Sequence, residues 1–237
     1  MKQIVFILIL QGILFTGLPA MLAAQSPIPP GSQEMTIEQS YLSETVDLII
    51  IREQSRADNR EMKLAALENI ANALNRGSKS DEIRAALEYL SLEGIVNVTR
   101  ENGRIMNNFP DVRKQAVFYL GELGAPESNP TLLKVVSTDN NTTVVIEAMR
   151  ALGKIAINDD SETARTIAAT VSRFYSTHPD NILALSALDT FEKIAAANNG
   201  LRDRYVIETI TRISEGPYPA LVRNRAKTLL VNLRKYR

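Results

Sequence analysis

The residue best suited to acid–base work near neutral pH is a single histidine, His178, in the stretch THPDN. Imidazole is the side chain whose ordinary pKa falls there, but this one stands alone. With no cysteine in the chain, thiolate nucleophiles, thiolate metal sites, disulfides and lipid attachment through an N-terminal cysteine drop out together. A zinc site would want a second His one helical turn away. A nucleophile–base pair would want His or Lys beside Ser, Thr or Cys. Neither pattern occurs. Asp159, Asp160 and Glu162 are carboxylates close together, yet they cluster where a helix starts and acids suit its positive end. The glycines fall singly, so no phosphate loop is present. His178 then reads as a turn residue, with His178 or Thr177 capping a helix that begins at Pro179. The expectation is a protein that is not an enzyme and holds no metal or cofactor.

What remains is binding, and charge narrows the partner. Lys plus Arg number 27 and Asp plus Glu number 27, whereas neutralising many phosphates calls for a basic excess. Nucleic acid is therefore excluded as the main ligand. The N-terminus has the layout of an export signal: Lys2, an apolar run from Ile4 to Leu18, then Pro19 and small residues. Residues 1–24 form this signal peptide, with the cut expected after Ala24 or, failing that, Ala23. Association with a membrane follows only if the segment stays uncleaved and acts as an anchor. Residues 25–35 (QSPIPPGSQEM) read as a Pro- and Gly-rich flexible linker. The expected location is the periplasm or cell envelope.

Residues 36–237 read as one helical domain. In DVRKQAVFYLGELG, residues 111–124, Val112, Ala116, Tyr119, Leu120 and Leu123 share one helix face. Arg113, Lys114, Gln115 and Glu122 are expected on the other. Pro110 suits the helix start and Gly124 its end. Three amphipathic turns are marginal alone, so the helix needs neighbours of its own kind. They recur: Ala66 with Ile70, Ala116 with Leu120, Ala148 with Leu152, Ala187 with Phe191, Ala226 with Leu230. The small residue admits a neighbouring helix and the large one fills the groove beside it. Between these anchored helices lie others over about 36–54, 80–98, 127–137, 160–176 and 201–214. Repeats of this size indicate stacked helical units.

At Asp111-Val112-Arg113, Ala116, Leu120-Gly121 and Leu123-Gly124, and again at Ala148 with Leu152-Gly153, the chain resembles HEAT repeats of the short variant named after phycobilisome lyases. Val222-Arg223 with Ala226 is a weaker copy. The resemblance implies an all-α fold: a right-handed α-solenoid, HEAT- or armadillo-like, of about five antiparallel helix pairs. The anchored helices would line its inner curve. It also implies a non-catalytic scaffold that offers this surface to a protein partner.

Three groups are candidate partner-binding residues. RENGRIMNNFP (residues 100–110) is the longest non-periodic connection in the domain, and long loops in helical arrays are often functional. From it come Arg100, Arg104, Asn108 and Phe109. An ordinary turn with Met106 and Phe109 tucked against the core is the alternative. Lys114 and Arg150 lie on the free face of anchored helices. Arg223, Arg225 and Lys227 begin a basic stretch that runs to Arg237 without an acid. It would serve an anionic polymer or membrane surface, or equally the solvated outer face of the last helix.

Overall fold

The computed structural model describes residues 36–177 and 179–236. The expected signal peptide, the linker and His178 itself lie outside the described residues. Within them are ten α-helices: α1 (Ile37–Arg56), α2 (Arg60–Asn75), α3 (Asp81–Ser91), α4 (Pro110–Leu123), α5 (Asn129–Thr138), α6 (Thr142–Ile155), α7 (Glu162–Thr177), α8 (Asn181–Ala197), α9 (Arg204–Glu215) and α10 (Ala220–Leu233). The only strands among the described residues are β1 (Arg100–Glu101) and β2 (Arg104–Ile105), an antiparallel pair.

Local chemistry sets the boundaries. Asn59, Ser80, Asn141, Asp180 and Asp203 each accept a backbone N–H at a helix start through the side chain, satisfying donors that the helix leaves unpaired. Pro110 stands in the first turn of α4, and Gly124 closes that helix at φ +66°, a conformation glycine adopts without strain. Two boundaries differ from expectation. The cap of α8 is Asp180, whose Oδ1 accepts from Ile182 N (2.8 Å) and Leu183 N (2.9 Å), not Thr177 or His178, because a carboxylate next to the first turn is the stronger acceptor. Helix α3 stops at Ser91 instead of reaching residue 98. There the amides of Ile95, Val96 and Asn97 converge on the Leu92 carbonyl, and Gly94 turns left-handed at φ +71°.

The helices form five successive pairs in two layers. Each even-numbered helix packs on its odd-numbered mate and on the even helices before and after it; α1, α3, α5, α7 and α9 line up likewise. This is an all-α solenoid of the HEAT type. The five anchor alanines, Ala66, Ala116, Ala148, Ala187 and Ala226, are all fully buried. So are Ile70, Leu120, Leu152 and Phe191, four places on, and the core runs through every pair without a break. Contacts are more extensive between the even helices than between the odd ones. Two glycines are one cause: a Cβ on Gly121 would stand 3.0 Å from Ala151 Cβ, and one on Gly153 would stand 3.2 Å from Lys193 Cδ. No helix among the described residues is long and apolar enough to cross a membrane.

Candidate docking surface

Arg113, expected on the solvent face of α4, is buried, with 2% of its surface exposed. Its charge is answered at once. Nε and Nη2 donate to Asp139 at 2.7 and 3.2 Å, and Nη1 donates to the Glu93 carbonyl (3.0 Å) and to Asn108 Oδ1 (2.9 Å). Asp139 follows α5, so the contact ties the second pair to the third. The equivalent residue of the first pair, Lys63, is buried too, 3.2 Å from Glu93 Oε2. Buried cations of this kind persist only when paired. Asn107 completes the cluster: Nδ2 donates to Glu93 Oε1 (2.7 Å) and to the Asn97 carbonyl (2.6 Å), while Oδ1 accepts from Thr99 N (2.9 Å).

This buried network holds the base of the connection between α3 and α4. What rises from it is not an irregular loop but a hairpin. Arg100 faces Ile105 and Glu101 faces Arg104 across the strands. Asn102 (φ +49°) and Gly103 (φ +79°) make the two-residue turn, the pattern for which Asn-Gly is the preferred sequence. Arg100 and Arg104 are exposed. Met106, instead of tucking inward, is 50% exposed, and Val96, Val98 and Ile105 are also exposed large apolar residues. Phe109 packs against the core, and Asn108 spends its side-chain oxygen on Arg113. The hairpin thus presents two arginines with four apolar side chains, a composition enriched at protein interfaces.

Lys114 and Arg150 lie on the open face of the even layer, on adjacent helices α4 and α6. Lys114 is exposed, and Arg150 is exposed with Glu147 3.4 Å away. One turn further along α4, Phe118, 41% exposed, stacks edge-on with Tyr119 and lies 5.3 Å from Lys154 Nζ of α6. Lys154 also pairs with Glu122. At the edge near the hairpin, Arg60 of α2 pairs with Asp111 of α4. Burial alone would push the Asp111 carboxyl up; the Arg60 hydrogen bond and charge, with two backbone amides, bring it below its ordinary value.

The C-terminal basic residues stand elsewhere, on α10 at the far end of the stack. They are less available than their sequence suggests. Arg225 is bound to Asp189 (3.0 Å) and to Glu192 of α8, and Arg223 donates to the Tyr218 carbonyl (2.8 Å). Lys227 is exposed. The nine candidate residues therefore occupy three places: a hairpin, the even face beside it, and a distant helix whose arginines are engaged internally. The exposed apolar residues of the hairpin and Phe118 were not candidates on sequence grounds. Asn102-Gly103 was the signal that could have revealed the hairpin. No cluster of His, Asp or Glu able to hold a metal ion occurs among the described residues.

Residues 104–187 match the family model of HEAT repeats, a span that runs from β2 into α8 and takes in α4 of the second pair, the whole third pair, and α7 with the start of α8. No curated protein matches the chain.

Proposed function

We propose that this HEAT-type solenoid is a non-catalytic scaffold of the bacterial cell envelope that docks a protein partner on the hairpin and the adjoining even-helix face. HEAT repeats commonly act as protein-interaction scaffolds. The observation that carries the reading is the hairpin. Arg100, Arg104, Val96, Val98, Ile105 and Met106 are all exposed, on a base fixed by Asn107, Glu93 and Arg113. Pre-ordered side chains lose little entropy when a partner arrives, so a modest contact suffices. The envelope assignment rests on the export layout of residues 1–24, and the mass of the mature N-terminus tests it.

The docking reading is tested by placing a photo-crosslinking residue at Met106, at Phe118 and, as a control, at Lys134 of the odd layer. The same partner band should appear from Met106 and Phe118 and be absent from Lys134. Alanine at Arg100, Arg104, Ile105 and Met106 together should abolish it while the thermal transition stays in place. An undiminished band from that variant rules the hairpin out.

The alternative, an anionic-polymer or membrane-surface module working through α10, is less well supported, since Arg225 and Arg223 are already committed within the fold.

A further inference from the structure

The outer pairs of the described solenoid are open in complementary ways. Repeat arrays usually close their terminal units with a polar outer face. Here α1 turns outward Leu42, Val46, Ile49 and Ile50, exposed by 68, 53, 49 and 41%, at spacings that make one ridge. At the opposite end an open groove of about 580 Å³ lies between α9 and α10, lined by Leu201, Ile207, Thr211, Leu230 and Leu233 with Arg202 and Arg234 at its rim. Leu230 is the telling residue. Its four counterparts, Ile70, Leu120, Leu152 and Phe191, are fully buried, whereas Leu230 in the last described pair is only partly buried.

Charge matches as well. Residues 37–56 carry four acids against two bases, a net of −2, and the groove has Arg202 and Arg234 in its lining. Within the chain each pair packs its odd helix on the previous odd helix and its even helix on the previous even helix. A second copy's α1–α2 placed after α9–α10 would repeat that step, with the α1 ridge entering the groove.

We infer that this protein associates head to tail with a second copy of itself, its α1 apolar ridge seating in the α9–α10 groove of the neighbour, so that the solenoid continues across chains. Such an interface joins unlike surfaces and does not close on itself. It involves neither the hairpin nor Phe118, and it stands apart from the docking surface.

Sedimentation velocity on the protein as purified from its expressing cells tests this. Wild type should show an open series of species that grows with concentration and shrinks as salt screens the charge attraction. Two variants block one end each: Val46→Glu with Ile49→Glu, and Arg202→Glu with Arg234→Glu. Val46, Ile49, Arg202 and Arg234 are exposed, and circular dichroism on both variants checks that they fold. Each alone should associate at least tenfold more weakly than wild type. Mixed in equal amounts they should form a one-to-one dimer and nothing larger. A wild type that stays monomeric at every concentration overturns the inference, as does cover of the α1 ridge by other parts of the same chain. Blocked variants that still self-associate, or a mixture that yields no dimer, also overturn it.

Discussion

Arg113→Met removes one side of a buried ion pair while keeping most of the side-chain volume. Arg113 and Asp139 each have side chains only 2% exposed, and two N–O contacts join them. After the change, the Asn141 amide, 2.8 Å from Oδ1, still holds the Asp139 carboxylate, and the Arg173 charge acts on it from α7. An uncompensated buried charge of this kind costs ~3–5 kcal/mol, a large share of the ~5–15 kcal/mol that holds a domain folded. The urea midpoint should fall accordingly. The Glu93 carbonyl and Asn108 Oδ1 lose a donor at the same time, so amide exchange should quicken at Thr99 and Met106, whose hydrogen bonds lie at the hairpin base. Adding Asp139→Leu to Arg113→Met should recover most of the loss, because an apolar pair in place of a buried ion pair is often neutral. A single variant costing under ~1 kcal/mol, or a double variant worse than the single, would refute the reasoning.

Further outcomes follow from the same packing. Gly121→Val drives a branched side chain into Ala151 and should lose about 1–3 kcal/mol in a thermal melt. Gly153→Ala meets mainly the flexible Lys193 stem and should be neutral or gain up to ~1 kcal/mol from helix propensity. Gly94→Ala combines a left-handed φ with a Cβ 2.4 Å from the Asn107 carbonyl oxygen. It should cost at least ~2 kcal/mol and open the hairpin to limited proteolysis, while Gly77→Ala, strained in φ but with open space around it, should cost less. For Asp203, burial raises the carboxyl, but the Arg165 hydrogen bond and the amides of Val206 and Tyr205 carry it below its ordinary value. A lowered folded pKa means stability that is present above the unfolded value, ~3.9, and lost as pH falls through the lower folded one. Asp203→Ala should therefore cost ~1 kcal/mol at neutral pH as a lost cap, and the gap to wild type should narrow in acid-titrated melts below about pH 4.

The solenoid was legible because its signal is local. A small residue followed four places later by a large one marks one face of one helix, and all five alanines landed in the core. Helix ends marked by Pro110 and Gly124 were legible for the same reason. The burial of Arg113 was not, since its acid lies 26 residues away beyond α5, and a charged residue without a visible partner is read as solvated. Lys63 and Glu93 are hidden likewise. The hairpin was announced by Asn102-Gly103, but its strands are two residues long, too short for an alternating pattern to show. The candidate residues were chosen for type and position, and only the packing reveals that Arg225 is spoken for by α8 while Met106 faces water.

The joints of the stack are not made of one material. Lys63–Glu93 and Arg113–Asp139 cross the first two junctions as charged contacts. From α6 to α8 the crossing is made by the neutral hydroxyls of Ser186 and Thr190 on the Ile146 and Met149 carbonyls. Removing one charge would therefore strand a buried partner at either of the first two junctions, whereas the crossing from α6 to α8 has no such partner to strand.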